Sequence, residues 1–113
     1  MSAPTARRVI RPYSREHAAA VHVLCAPCIW RRAAAYVSDH GQVDWPALER
    51  AAGPWSSGER LLVQVAEDLY RGAEEPASLG RLCGTLDTAN LRRVLEAVCI
   101  LRPDVAPPQG WAR

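Results

Sequence analysis

Two cysteines, Cys25 and Cys28, stand at the Cys-x-x-Cys spacing that brings two thiols close together. Such a pair binds a metal ion as thiolates, or cycles between a dithiol and a disulfide when the first thiol is activated at a helix N-terminus. His22, three residues before Cys25, adds a third candidate ligand for zinc or for an iron-sulfur cluster. Structural zinc sites usually combine two close pairs of ligands, and this chain shows one. Burial of both cysteines in the core is therefore the competing interpretation.

With Pro27 between them, these cysteines resemble the Cys-x-Pro-Cys motif of thioredoxin-type proteins. The resemblance covers four residues and implies redox activity on a fold in which a strand precedes the motif. No segment of this sequence shows the strict alternation of apolar and polar residues that predicts such a strand. A metal-binding or redox protein is therefore kept only as an alternative interpretation, in which zinc or an iron-sulfur cluster would be the cofactor.

The last three predicted helices, 57–71, 79–83 and 88–101, resemble a helix-turn-helix unit. In such a unit the final helix enters the major groove of DNA, so the resemblance implies a DNA-binding regulator. Arg92 and Arg93 would then contact guanine bases or phosphates, for which the arginine side chain is well suited. The competing interpretation is a plain helical hairpin whose arginines are solvated or paired with acidic neighbours.

All 14 basic residues are arginines, and they are unevenly distributed although the net charge is only +2. Residues 1–15 carry four arginines and no acid, a net charge of +4. Residues 39–77 carry eight acids against three arginines, a net charge of −5. Arg7, Arg8 and Arg11 are therefore candidate contacts to a DNA backbone or to an acidic protein surface, including that of a second copy. A solvated arm that adds solubility is the third interpretation.

Four tryptophans are many for 113 residues, and tryptophan is enriched both in cores and at binding hot spots. Trp45 and Trp55 flank a predicted helix and are expected to anchor it to the core. Trp111 lies in a tail that contains proline and glycine and has no periodic pattern, so it either folds back on the domain or binds a partner. Trp111, Arg7 and Arg8 are the candidate partner-binding residues.

The elements that would position these residues are helical, because apolar residues recur at helical spacing in two segments. The predicted core stripes are Leu61, Leu62, Val65, Ala66 and Leu69 in the first segment, and Leu91, Val94, Leu95, Val98 and Leu101 in the second. Residues that favour helix starts precede the predicted helices at Ser14, Asp44, Ser56, Ser78 and Asp87. Pro27 interrupts the first helical segment, which is therefore kinked or divided.

We predict an all-α fold of about five helices in one domain, residues 14–103. A flexible arginine-rich arm, residues 1–13, precedes it, and an extended tail, residues 104–113, follows it. No apolar run of about 20 residues is present, so no membrane partner is expected. Four cysteines are too few for a disulfide scaffold and favour a reducing cytoplasm. The absence of lysine and phenylalanine is typical of a GC-rich bacterial or phage genome.

No motif in this sequence fixes a reaction, a ligand or a partner. We therefore predict a small non-enzymatic protein that acts through a protein partner or through self-association as a homo-oligomer, with no cofactor. The first alternative is a helix-turn-helix DNA-binding regulator, with nucleic acid as the partner. The second is a metal-binding or redox protein that uses Cys25 and Cys28.

Overall fold

The chain forms six α-helices and one 3₁₀ helix within residues 8–72 and 76–105, the parts that this computed structural model describes. They are α1 (Arg15–Leu24), α2 (Trp30–Ala33), a 3₁₀ helix (Ala34–Tyr36), α3 (Trp45–Ala52), α4 (Ser57–Arg71), α5 (Leu79–Thr85) and α6 (Thr88–Leu101). The predicted all-α fold is confirmed. None of the helices described has the combination of length and apolarity that a membrane crossing requires.

Most of these helices are capped at their N-termini by a short polar side chain. The Ser56 hydroxyl accepts a hydrogen bond from the Glu59 amide at 3.3 Å, and the Glu59 carboxylate accepts one from the Ser56 amide at 3.1 Å, which completes a capping box at α4. The other predicted capping residues also accept bonds from first-turn amides: Ser14 at α1, Asp44 at α3, Ser78 at α5 and Asp87 at α6. Because each cap stabilises its helix by about 1 kcal/mol, these residues fix where the helices start.

Pro27 divides the first helical segment in two, which was one of the two predicted outcomes. Proline has no amide hydrogen, and inside a helix its ring would collide with the carbonyl of Val23, four residues earlier. The first helix, α1, accordingly ends at Leu24, and α2 begins only at Trp30. The two cysteines of the Cys-x-x-Cys spacing lie in the intervening turn.

The predicted end of α4 agrees with the structure, and the predicted end of α5 does not. Gly72 follows α4 with a φ of 74°, a conformation that glycine adopts without steric cost. The prediction that α5 ends at Cys83 is wrong, because the helix continues through Gly84 to Thr85. A hydrogen bond of 3.1 Å from the Leu86 amide to the Leu82 carbonyl closes this last turn.

The central helix is α1, which packs against both α4 and α6. Ala19 and Ala20 are fully buried on α1, and their small side chains allow neighbouring helices to approach closely. Leu24 of α1 and Leu61 of α4 are fully buried in the same core. Because full burial of one leucine side chain contributes roughly 1.5–3 kcal/mol, this three-helix contact holds the domain together.

Residues 8–13 are bonded to the rest of the domain, which differs from the predicted flexible arm. The Arg11 amide donates a hydrogen bond of 2.8 Å to the Asp39 carbonyl, and the Tyr13 amide donates one of 3.1 Å to the His40 carbonyl. The Tyr13 ring also stacks on the His40 ring, with centroids 4.5 Å apart. The segment is held here because its amides find backbone acceptors in the loop before α3.

The described part of the chain ends with a turn after α6. The Val105 amide donates a hydrogen bond of 3.0 Å to the Arg102 carbonyl. Residues 1–7 of the predicted arm and residues 106–113 of the predicted tail lie outside the described residues.

Candidate interaction surface

The last helix, α6, is rotated relative to its predicted orientation. Val94 and Ala97 are buried, whereas Leu95 and Val98 keep 44% and 38% of their surface exposed. Arg93, which the helix-turn-helix resemblance makes a candidate DNA contact, lies instead against α1. The prediction of one fully buried stripe along α6 is therefore wrong at Leu95 and Val98.

Polar contacts between α1 and α6 account for this rotation. His22 Nε2 lies 2.8 Å from Glu96 Oε1, and Arg93 Nη1 donates a hydrogen bond of 3.0 Å to the His22 carbonyl oxygen. Both contacts are partly buried, where a hydrogen bond is stronger than in water. Because Arg93 and Glu96 are three residues apart, they share one helix face. Pairing that face with His22 turns Leu95 away from α1.

The apolar side chains that this rotation leaves outside line a cavity of about 280 Å³ between α4, α5 and α6. We call this cavity the apolar groove. Its walls include Val65 and Leu69 of α4, Leu82 and Cys83 of α5, and Leu95 and Val98 of α6. An apolar cavity of about 150 Å³ is enough to bind benzene, so the groove has room for one large side chain.

The rim of the groove is also apolar. Leu79, the first residue of α5, lines the groove and keeps 79% of its surface exposed. Among the described residues that line the groove, Asp68 alone carries a charge. Exposed leucines gathered around one cavity, in contrast to single leucines scattered over a surface, make this face a candidate interaction site.

The arginine candidates are largely engaged within the chain. Arg8 donates a hydrogen bond of 2.8 Å to the Ala34 carbonyl, bonds the Val37 carbonyl as well, and pairs with Asp39 at 3.1 Å. Arg93 donates to α1 as described above. A contact from either guanidinium to a phosphate or a partner protein would therefore compete with these internal bonds.

The other candidate binding residues have different surroundings. Arg11 is exposed, and its backbone is fixed to the loop before α3. Arg92 is half-buried and takes part in an intramolecular interaction. Arg7 and Trp111 lie outside the described residues.

Cys25 and Cys28 are free thiols. Burial raises the pKa of the Cys25 thiol, an effect that nearby Arg93 only partly opposes, so this thiol is not activated as a redox nucleophile would be. Cys28 is exposed and accepts a weak hydrogen bond of 3.7 Å from Asn90 Nδ2. Across residues 8–72 and 76–105, no three His, Cys, Asp or Glu side chains are grouped to hold a metal ion. The structure thus does not bring His22, Cys25 and Cys28 together as a ligand set.

A cluster of aromatic and histidine side chains was not foreseen from the sequence. His17 Nδ1 lies 2.6 Å from the Ser14 hydroxyl oxygen, and His17 Nε2 lies 3.2 Å from the Tyr70 hydroxyl oxygen. The Tyr70 ring meets the buried Trp45 ring edge to face, with centroids 5.3 Å apart. Trp45 therefore anchors α3 in the core as predicted. The cluster connects α1, α3 and α4 through His17, Trp45 and Tyr70. Because these three residues lie far apart in the sequence, no spacing between them could have predicted their contact.

A surplus of apolar residues on α6 is the sequence signal that could have revealed the groove. Besides the predicted stripe, α6 contains Ala97 and Ile100, so apolar residues occupy more than one face of this helix. A helix that is apolar over more than one face needs a second apolar partner. That partner is only partly supplied by α4 and α5, because the groove between the three helices is open to solvent.

The fold and this surface define a small all-helical protein with an apolar groove between its last three helices. No family model, no curated protein and no solved structure matches the chain. The groove and its neighbouring side chains are consequently the basis for assigning a function.

Proposed function

We propose that this chain is a small non-enzymatic protein that acts through protein–protein contact, and that a second copy of the chain docks on the apolar groove. The observation that carries the proposal is the exposure of Leu79, Leu95 and Val98 around one cavity. Covering such side chains favours association, because it removes apolar surface from water.

A second copy fits the groove because a protruding side chain and a cavity lie on the same surface. Leu79 is the most exposed of the groove leucines, and it stands beside the cavity that Leu95 and Val98 line. In a twofold dimer one surface meets itself, so Leu79 of each copy would enter the cavity of the other. The four free thiols are suited to a reducing compartment, for which we propose the cytoplasm.

Sedimentation equilibrium over a range of protein concentrations tests this proposal. We expect the wild-type protein to self-associate, and Leu79→Glu to weaken the association at least tenfold, because a carboxylate would be buried without a partner. Val9→Glu is the matched control, since Val9 is apolar and 66% exposed but does not line the groove. A wild-type protein that stays monomeric at every concentration would contradict the proposal, as would a Leu79→Glu protein that associates like the wild type.

A DNA-binding regulator is a second candidate function, favoured by the short connection that joins α5 to α6, although it is tighter than the usual helix-turn-helix turn. The bond from Arg93 to the His22 carbonyl counts against it, because a contact to DNA would have to replace that bond. If DNA is the partner, its affinity should fall steeply with added salt, and Arg92→Ala and Arg93→Ala should both weaken it. Affinity that does not depend on salt would contradict this function.

A further inference from the structure

We propose that Ser14 is a modification site, at which His17 removes the hydroxyl proton so that Ser14 accepts an acyl group from an activated ester. Each chain accepts one acyl group, so the reaction requires no enzymatic turnover and does not depend on the self-association proposed above. Three features of the structure support this: the hydrogen bonds of His17, the packing that holds its ring, and the contrast with two other serines that cap helices.

The Ser14 hydroxyl is placed to give its proton to His17. Ser14 Oγ lies 2.6 Å from His17 Nδ1, which is a short hydrogen-bond distance. The same oxygen accepts a bond of 3.2 Å from the His17 amide. Because capping uses only a lone pair of this oxygen, the hydroxyl hydrogen remains for the ring nitrogen. A serine hydroxyl is a weak nucleophile by itself, and an adjacent base activates it by removing this proton.

Tyr70 orients the imidazole from its other nitrogen. His17 Nε2 lies 3.2 Å from the Tyr70 hydroxyl oxygen. Because Nδ1 accepts the Ser14 proton, the ring hydrogen is on Nε2 and is donated to the Tyr70 oxygen. A nucleophile, a base and a third group that orients the base together characterise an activated hydroxyl. Tyr70 contacts no reacting atom and is therefore a positioning residue.

The His17 ring is also held by packing. The Tyr13 ring meets it edge to face with centroids 6.0 Å apart, and the Tyr70 ring meets it in the same manner at 4.7 Å. The Gly41 backbone approaches so closely that a Cβ there would lie 3.2 Å from the His17 Cβ. A base whose orientation is fixed by its neighbours does not have to be ordered when the reaction occurs.

A small reagent can reach this site, and the start of α1 favours the reaction there. Ser14 and His17 are only half-buried. Ser14 precedes the first turn of α1, where the amides of Arg15 and Glu16 have no acceptor within the helix. The positive end of the helix dipole therefore stabilises the negative charge that develops on the acyl oxygen when Ser14 attacks.

The reaction involves no reactant besides the ester. Ser14 Oγ attacks the acyl carbon, and an O–C bond forms while the hydroxyl proton moves to His17 Nδ1. The acyl carbon then releases the alcohol or phenol oxygen of the ester, and this leaving group takes the proton from His17. The products are an acyl-serine ester and a free alcohol or phenol, and His17 returns to its starting form.

Two other serines provide an internal comparison, because they cap helices in the same way as Ser14. Ser56 and Ser78 each accept a hydrogen bond from the amide three residues later, which belongs to Glu59 and to Arg81 respectively. The Glu59 carboxylate bonds the Ser56 amide and not its hydroxyl. Of these three capping serines, Ser14 is thus the one that has an imidazole at the third following position.

Acetylation by p-nitrophenyl acetate, followed by peptide mass spectrometry, tests the inference in the full-length chain. We expect Ser14 to be acetylated about a hundredfold faster than Ser56, because a positioned base accelerates such reactions by about 10²- to 10⁴-fold. The expected value is at the low end because the third group is a phenol and not a carboxylate. His17→Gln should abolish the difference and leave the Ser56 rate unchanged.

Tyr70→Phe tests the positioning role with a variant that keeps the ring. It should lower the Ser14 rate about fivefold, which corresponds to one lost hydrogen bond. It should also lower the fraction of His17 rings that carry the hydrogen on Nε2, as measured by ¹⁵N nuclear magnetic resonance. A purely structural role of Tyr70 would not change this fraction.

Two results would overturn the inference. One is a wild-type protein in which Ser14 is acetylated no faster than Ser56, and the other is a Ser14 rate that His17→Gln leaves unchanged. If His17→Gln proves to be unfolded, Tyr70→Phe decides instead, and an unchanged Ser14 rate in that variant overturns the inference. All rates are measured at one low protein concentration, so this inference and the proposed self-association can each fail without the other.

Discussion

The two sides of α6 differ in how they are used. One side pairs Arg93 and Glu96 with His22 of α1 through directional hydrogen bonds. The other side presents Leu95 and Val98 to an open groove. Two polar contacts on one side of a helix can thus decide which of its apolar residues are buried and which are left open to a partner.

The buried core around α1 and the groove side of α6 should also differ in how much stability is lost when a leucine is truncated. Leu24→Ala removes a fully buried leucine and should destabilise the protein by about 2–5 kcal/mol, because it leaves a cavity in the core. Leu95→Ala removes the same atoms from the groove and should cost less than about 1 kcal/mol, since that side chain is already half in water. Denaturant unfolding of both variants measures the difference. Equal losses would mean that the groove is part of the core.

Local features were predictable from the sequence, and the rotation of α6 was not. Capping by Ser56 and Asp87 and the break at Pro27 depend on residues within a few positions of each other, so each could be predicted from the pattern. The contact of His22 with Glu96 joins residues 74 positions apart. Because no periodicity in the sequence indicates such a pair, Leu95 and Val98 were predicted to lie in the core.

A smaller effect is expected from the polar side of α6. Arg93→Ala should destabilise the protein by about 1–2 kcal/mol, because the partly buried His22 carbonyl loses its charged donor. Arg31→Ala, at an exposed arginine of α2, is the control and should change the stability by no more than about 0.5 kcal/mol. Thermal unfolding compares the two variants. If they unfold alike, the Arg93 bond does not hold α6 in place.

The smallest effect concerns the pH dependence of α4, which forms a wall of the groove. Hydrogen bonds from Arg32 and from the Ser56 amide lower the pKa of the Glu59 carboxyl below its ordinary value. A lowered pKa in the folded state means that Glu59 contributes stability above its unfolded pKa and loses it as the pH falls through its folded pKa. Glu59→Gln should therefore flatten the acid limb of the stability curve, as measured by denaturant unfolding at several pH values. An unchanged acid limb would contradict the assignment.

A dilution series followed by nuclear magnetic resonance tests most directly whether the groove is a docking surface. Chemical shifts of Leu79, Leu95 and Val98 should change with protein concentration, while those of Val9 and Ala19 stay constant, because a second copy covers only the groove. Concentration-dependent shifts on another surface with constant shifts in the groove would contradict the account.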